Sequence, residues 1–160
     1  MTKVASANSA DLAILLVSSY RVVIERLLAG HEAAGLSGVR PKHGFVIRAV
    51  FAESPTINRL AELLETTKQA ASKLADAMVR QGFLQRFADP DDRRSIRLRL
   101  AAKGERVRRR AVATSAVIER ELKNVVGAHD VAVLRRTLCA RLELNGAGEE
   151  AAAHRARPVW

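Results

Sequence analysis

Residues 56–100 read TINRLAELLETTKQAASKLADAMVRQGFLQRFADPDDRRSIRLRL, and this stretch contains two helical patterns followed by two strand-like runs. The first helical pattern covers 56–64, and a polar turn at 65–67 separates it from the second pattern, which ends at Gly82. The buried face of the second helix is predicted from residues at helical spacing: Ala70, Ala71, Leu74 and Met78. Two short helices joined by a tight turn and followed by a hairpin predict a winged helix-turn-helix.

The two strand-like runs, 83–87 and 95–100, flank a charged turn at 89–92. Apolar and cationic residues alternate in the second run, which predicts one face packed on the helices and one face open to solvent. Ile96, Leu98 and Leu100 are predicted to point inward. Arg97 and Arg99 are predicted to point outward.

The whole chain has 160 residues, a length that suits one domain. Hydrophobic residues make up 48% of it and aromatic residues only 4%, so the predicted core is aliphatic. Further helical patterns lie on both sides of the central stretch, at 9–30, from Pro41 to just before Pro55, at 101–126 and at 130–144. The predicted fold class is mainly α with a small β-hairpin wing, in one domain over 9–145 whose winged lobe covers 54–100. Residues 1–8 and 146–160 are predicted to be flexible or disordered.

The composition is strongly basic, with 27 Lys and Arg against 17 Asp and Glu, a formal net charge of +10 and a pI near 10.9. The excess is concentrated between residues 80 and 110, where 11 cations stand against four anions. Such a cluster favours a polyanionic partner, with nucleic acid as the leading candidate. A solvated basic face in an Arg-rich protein is the alternative interpretation.

Other functional classes are disfavoured by the sequence. The single cysteine, Cys139, excludes a disulfide within one subunit and favours a reducing compartment, so we expect a cytoplasmic protein. The apolar run at 12–17 is too short for a membrane span. The histidines show no metal-ligand spacing, and no nucleophile elbow, phosphate-binding glycine loop or carboxylate pair stands out. We therefore expect no structural metal, no cofactor and no enzymatic activity.

The second helix of the central stretch is the element predicted to read double-stranded DNA, because a major groove about 12 Å wide admits one α-helix. Four polar residues near its start are the base-contact candidates: Lys68, Gln69, Ser72 and Lys73. Thr66 and Thr67 are candidates for capping the helix or contacting the DNA backbone. Four hairpin arginines are phosphate candidates: Arg86, Arg93, Arg97 and Arg99.

Four segments carry a family resemblance: RLAELL at 59–64, TTKQAASKL at 66–74, QGFLQR at 81–86 and DPDDRR at 89–94. Together they resemble the MarR family of bacterial transcriptional regulators. The sequence departs from the family at Leu100 and Ala101, where Leu-Thr is usual, which leaves the cap of the following helix in question.

The resemblance implies a homodimeric transcriptional regulator, with repression as the expected mode, that binds a near-palindromic operator. The helices within 9–52 and 102–145 would form the dimer. Apolar stretches at 12–28 and 131–144 agree with this, because they exceed what the winged lobe needs to cover its own core. Two-fold symmetry would place the half-sites about 10 bp apart.

The resemblance also implies roles at the wing. Arg94 matches the family's minor-groove arginine. Asp92 is expected to hold the loop by accepting backbone amides or pairing with an arginine. Asp76 resembles an acidic position that pairs with the wing arginine and directs it.

Many members of the family release DNA when a small phenolic or carboxylic molecule binds between the dimer helices and the winged lobe. The resemblance implies such an effector pocket, with four expected lining residues: Tyr20, His43, Ile47 and Arg48. A helix-start or surface role is the alternative for His43. Cys139 is expected to be a buried, inert thiol.

A different kind of binding module is the competing interpretation of the whole sequence. The winged fold and the basic face would then bind RNA, or coat DNA without sequence preference as an architectural protein. A salt-resistant preference for one operator over random duplex separates the two functions.

Overall fold

The computed structural model of the protein describes residues 10–92, 94–144, 146 and 148. Within this part the chain forms six helices and one two-stranded antiparallel hairpin. In chain order the elements are α1 (Leu12–Ala33), α2 (Pro41–Glu53), α3 (Ile57–Leu63), α4 (Lys68–Arg80), β1 (Leu84–Ala88), β2 (Ile96–Leu100), α5 (Ala102–Val126) and α6 (Ala128–Glu143). The predicted fold class is confirmed. The ends predicted to be flexible, 1–8 and 146–160, lie outside the described residues apart from 146 and 148.

The core of the winged lobe is aliphatic and surrounds one aromatic ring, Phe83, which lies between α4 and β1 and is fully buried. The cluster includes buried side chains from α2 to α5, among them Val46, Val50, Leu60, Leu64, Ala71, Ala75, Met78, Leu84, Leu98 and Val107. Burial of large apolar side chains is the dominant stabilising contribution, at about 1.5–3 kcal/mol each. The core therefore holds α4 in place against the hairpin.

The inward face of α4 differs by one residue from the prediction. Ala71, Ala75 and Met78 are fully buried and Leu74 is partly buried, but Ala70 is exposed. The buried residues set the direction of the core, and Ala70 lies about 100° around the helix from Ala71. Ala70 therefore belongs to the outer face of the first turn.

The sequence predicts that α1 ends at Gly30, but the helix continues to Ala33. The glycine has a packing role, because a Cβ at this position would lie 2.6 Å from Thr114 Oγ1 of α5. His31 follows it into the interface, with Nε2 3.2 Å from the carbonyl oxygen of Val107. Packing against α5 thus outweighs the helix-stopping tendency of glycine.

The hairpin pairs Leu84 with Leu100 and Ala88 with Ile96. Leu98 is buried and Leu100 partly buried, as predicted, but Ile96 is 47% exposed. The core lies under the base of the hairpin, whereas Ile96 lies at the end of β2 that is next to the turn, opposite Ala88. The inward pattern of β2 therefore holds only in its second half.

The N-cap of α5 is Ala101, which provides no side-chain hydrogen bond. The start of the helix is held instead by the core, because the Ala101 amide donates to the carbonyl oxygen of Phe83 at 3.0 Å. Gly104 also lies against that carbonyl, and a Cβ at this position would collide with it. Close backbone packing replaces the missing Thr cap.

A large apolar surface of the described chain is not covered by the chain itself. On α1 it includes Leu12, which is 70% exposed, together with Ile14, Leu16, Val17 and Tyr20. On α6 it includes Leu134, Leu138 and Leu142.

Cys139 is exposed on α6, so the expectation of a buried thiol is wrong for the single chain. The physical reason is that α6 packs against α5 along one side. Among the described helices, none has both the length and the hydropathy that a membrane span requires.

Candidate nucleic-acid interface

The turn between α3 and α4 is closed by hydrogen bonds that the sequence partly predicts. Thr67 is the N-cap of α4, and its Oγ1 accepts from the Ala70 amide at 3.1 Å. The Thr66 amide donates to the carbonyl oxygen of Ala61 at 2.9 Å, and Glu65 takes a left-handed conformation with φ 48°. These bonds fix the angle at which α4 leaves α3. Thr66 is thereby placed in the turn, and Thr67 is confirmed as a cap.

The start of α4 presents the predicted base-contact candidates together. Lys68, Gln69 and Lys73 are exposed and Ser72 is partly exposed. They lie on the outer side of the first two turns, opposite the buried Ala71 and its neighbours. The helix N-terminus adds a partial positive charge at this end. The surface therefore combines hydrogen-bonding groups with positive potential.

The base of the wing is joined to α4 by an ion pair. Arg86 Nη2 of β1 donates to Asp76 Oδ1 at 2.5 Å, with both side chains partly exposed. The expectation that Asp76 pairs with Arg94 is therefore wrong. The physical reason is position, because β1 packs directly on α4 whereas Arg94 lies in the turn at the far end of the hairpin.

The tip of the wing is organised around Asp89, for which the sequence predicts only a place in the charged turn. Its buried carboxylate accepts hydrogen bonds from Arg97 Nε and from the Asp91 amide, the latter at 3.1 Å. The hydrogen bond from Arg97 is the main cause that holds the pKa of Asp89 below its usual value. Arg97 was predicted to point outward as a phosphate candidate, but it is partly buried and already paired. The Asp-Pro-Asp sequence is the signal for such a turn.

Asp92 holds the next part of the loop. Its Oδ1 accepts from the Arg94 amide at 3.0 Å, which agrees with the expectation that Asp92 supports the wing through the backbone. The Arg94 side chain is exposed. Arg99 is also exposed, with its guanidinium 5.1 Å from the centre of the Phe87 ring. Arg93 lies outside the described residues.

The four expected effector-pocket residues differ in their burial. Ile47 is buried in the core, while Tyr20 and Arg48 are exposed. His43 is only 3% exposed, and its ring centre lies 5.1 Å from that of Phe83. Burial, assisted by nearby cations such as Lys42, lowers the pKa of His43 to about 4. A cavity of about 260 Å³ lies between α1 and α5, and none of the four residues lines it.

Among the described residues, no group of three or more His, Cys, Asp or Glu side chains could hold a metal ion.

A helix-turn-helix whose second helix exposes its polar N-terminal turns, followed by an arginine-bearing hairpin, defines a winged helix-turn-helix protein. Residues 52–96 of the chain match the model of the MarR family. The resemblance stated from the sequence is therefore confirmed over these residues of the winged lobe.

Solved structures share the fold over most of the chain. FabT of Streptococcus pneumoniae, in complex with DNA, aligns with a TM-score of 0.73 at 16% identity, over 84% of this chain and 95% of that one. The reduced form of MarR from E. coli gives a TM-score of 0.65 at 18% identity, over 83% and 97%. A MepR variant of S. aureus bound to an oligodeoxyribonucleotide aligns with a TM-score of 0.57 at 16% identity, over 84% of this chain and 98% of that one. No curated protein matches the chain in sequence.

Proposed function

We propose that the protein is a homodimeric, sequence-specific DNA-binding transcriptional regulator of the MarR type that acts as a repressor in the cytoplasm. The observation that carries this proposal is the exposed start of α4, where Lys68, Gln69, Ser72 and Lys73 are presented beside an arginine-bearing wing. Two of the proteins that share the fold are described in contact with DNA, FabT in a complex and the MepR variant with an oligodeoxyribonucleotide.

In this proposal α4 enters the major groove with its N-terminal turns against the bases. Gln69 would form a bidentate hydrogen bond with an adenine. Lys68 or Lys73 would donate hydrogen bonds to the O6 and N7 atoms of a guanine. Each such contact contributes about 1–3 kcal/mol of discrimination between bases. The Thr67 cap and the buried side of α4 hold the helix rigid, so these contacts are made without reordering the backbone.

The wing would contact the minor groove and the phosphates next to the major groove that α4 enters. Arg94 is exposed and its backbone is held by Asp92, which suits an arginine inserted into a minor groove. Arg99 is the best placed of the described phosphate candidates because it is exposed and has no carboxylate partner among the described residues. Arg86 and Arg97 stabilise the fold of the wing, because each forms an ion pair with an aspartate.

Dimerisation would cover the apolar surface of α1 and α6. Apolar side chains such as Leu12, Val17 and Leu138 are exposed on the single chain, and extensive exposed apolar surface marks a site of protein–protein contact. A second copy is the partner that this patch suits, because a two-fold axis places two α4 helices on successive major grooves about 10 bp apart.

The decisive experiment compares one operator with random duplex at physiological ionic strength. A near-palindromic site from the DNA next to the gene serves as the operator, and retardation is measured over a range of salt concentrations. We expect a specific affinity at least about 10³-fold above the non-specific one. Equal affinity for every duplex, or stronger binding to RNA, would instead indicate the architectural or RNA-binding function.

We include in this proposal a small aromatic or carboxylic effector that releases the protein from its operator. The support is the cavity between α1 and α5, since α5 follows directly on wing strand β2. The test adds candidate acids to the retarded complex and measures the fraction of free operator. A complex that survives saturating ligand would remove effector release from the proposal.

A further inference from the structure

One apolar side chain lies on the part of α4 that is proposed to enter the major groove. Ala70 belongs to the first turn of the helix and is exposed, whereas Ala71 and Ala75 are fully buried. The sequence pattern predicts Ala70 in the core, so its place on the outer face is decided by the packing of α4. The surface at the start of α4 therefore presents a methyl group as well as hydrogen-bonding groups.

The neighbours of Ala70 on this surface are candidates for base contact. Gln69 precedes it in the chain and is exposed. Lys73, three residues later, is also exposed and lies on the adjacent turn at the same side of the helix. The methyl group is thus bordered by two polar side chains that would contact base edges in our proposal. A base that contacts either neighbour comes close to Ala70 as well.

The position of the Ala70 side chain is fixed by the hydrogen bonds of the first turn. The Ala70 amide donates to Thr67 Oγ1 at 3.1 Å, and the Ala71 amide donates to the carbonyl oxygen of Thr67 at 2.9 Å. The buried side chain of Ala71 holds the same turn against the core. An alanine side chain also has no rotamer freedom to lose when it makes a contact. The methyl group is therefore presented at a defined distance from the helix axis.

The chemistry of the base edges identifies a partner for this methyl group. In the major groove thymine presents a methyl group at C5, whereas guanine, adenine and cytosine present hydrogen-bonding atoms. A side chain without donor or acceptor displaces water from such atoms and offers no hydrogen bond in return. Contact between two methyl groups removes apolar surface from water on both sides. The position of Ala70 therefore favours thymine.

We propose that Ala70 is a specificity-determining residue that contacts the 5-methyl group of one thymine in each half-site of the operator. Because Ala70 adjoins Gln69, this thymine belongs to the A·T pair that Gln69 contacts or to the next base pair. The inference rests on the proposed function, since it requires α4 to lie in the major groove. It adds one apolar contact to the four polar candidates for base contact.

The test uses operator duplexes in which deoxyuridine replaces one thymine in each half-site at a time. Deoxyuridine lacks only the methyl group, so that the pairing with adenine and the hydrogen-bonding atoms in the groove stay the same. Gel retardation with the full chain measures the Kd of each duplex at one salt concentration. We expect at least one symmetric pair of replacements to raise the Kd about tenfold, because one methyl contact is lost in each half-site.

Variants assign the methyl contact to Ala70. Ala70→Gly removes the side chain, so the Kd values of the thymine and deoxyuridine duplexes should agree within about twofold. Ala77→Gly is the matched control, because Ala77 lies two turns further along the same side of α4, beyond the turns that would contact bases. This control should keep the preference for thymine. Both duplexes are compared with one preparation, so a loss of helix stability affects the two Kd values alike.

The outcomes separate this inference from the proposed function. Wild-type protein that prefers the operator to random duplex, but binds every deoxyuridine duplex as tightly as the thymine operator, overturns the role of Ala70 and leaves the regulatory function intact. Ala70 is then an exposed residue that only favours the helix. A thymine preference that survives in Ala70→Gly also overturns the inference. Equal affinity for the operator and random duplex overturns the regulatory function, and the contact with thymine along with it.

Discussion

At the scale of single residues, Arg94 is the wing side chain whose role is easiest to isolate, because it is exposed and only its backbone is held by the fold. We expect Arg94→Ala to weaken operator binding about tenfold, through loss of one minor-groove contact, while dimerisation and thermal stability stay unchanged. Gel retardation and light scattering measure the two properties. Arg109→Ala is the matched control, because it removes one exposed positive charge from α5. Equal losses in both variants would reduce Arg94 to a general electrostatic role.

His43 makes stability depend on pH. Its pKa is lowered to about 4 in the folded chain, mainly by burial, against an ordinary value of 6.5 in the unfolded chain. Between these values the unfolded chain binds more protons, so the free energy of unfolding contributed by this residue is complete above pH 6.5 and declines as the pH falls to 4. We expect a loss of up to about 3 kcal/mol, measured by urea unfolding.

His43→Gln is the control for this pH dependence. Gln cannot take up the proton, so the variant should be less stable at pH 7 but should lose less stability on acidification. The comparison between the two proteins removes the contributions of all other titrating groups. Parallel pH profiles for the wild type and the variant would assign the acid sensitivity elsewhere.

At the scale of elements, the wing depends on a carboxylate that never contacts DNA in our proposal. Asp89 joins Arg97 of β2 to the amide of Asp91 in the turn. We expect Asp89→Asn to weaken operator binding about tenfold relative to Asp91→Asn, since both changes remove one negative charge but only the first loosens the loop that carries Arg94. Retardation at matched salt measures this difference. Identical affinities would mean that the loop keeps its shape without the ion pair.

The contact between α5 and the hairpin base depends on the absence of a side chain at Gly104. A Cβ there would collide with the carbonyl oxygen of Phe83. We expect Gly104→Ala to reduce the free energy of unfolding by about 3 kcal/mol, because the backbone of β1 or α5 must move. Gly44→Ala in α2 meets nothing within 4 Å and should be neutral or stabilising by up to about 1 kcal/mol. Chemical denaturation distinguishes the two variants, and equal effects would contradict the packing argument.

At the scale of the whole molecule, the exposed apolar face of α1 is expected to hold two copies together. Leu12 and Leu16 lie one helical turn apart and are both exposed. We expect Leu12→Glu combined with Leu16→Glu to give folded monomers that have lost operator affinity, because one half-site contact does not suffice. Ile96→Glu, an equally exposed apolar position on the wing, should remain dimeric. Light scattering measures the mass, and a dimeric double variant would place the interface elsewhere.

Much of this organisation follows from local sequence. The Thr67 cap, the breaks at Pro41 and Pro55 and the alternation in β2 each depend on a few neighbouring residues, so element types and order were predictable. The base-contact candidates at the start of α4 follow in the same way, since polar residues opposite a buried stripe must face outward.

Contacts between distant residues were not predictable in this way. Asp76 meets Arg86 and not Arg94 because β1, and not the turn, packs on α4. His43 was expected beside an effector but is buried against Phe83, and Gly30 continues a helix because Thr114 needs the space. Each outcome depends on which surfaces meet across ten or more residues of chain.

The amino-acid sequence by itself determined the helical class, the winged lobe and the basic surface, because periodicity, capping and charge act over a few residues. Only the tertiary structure decided which carboxylate holds which arginine, and it alone placed an unpaired hydroxyl at a cavity between α1 and α5. Ion pairs and cavities depend on distances of a few ångströms between elements, and those distances are set by the packing of the whole core.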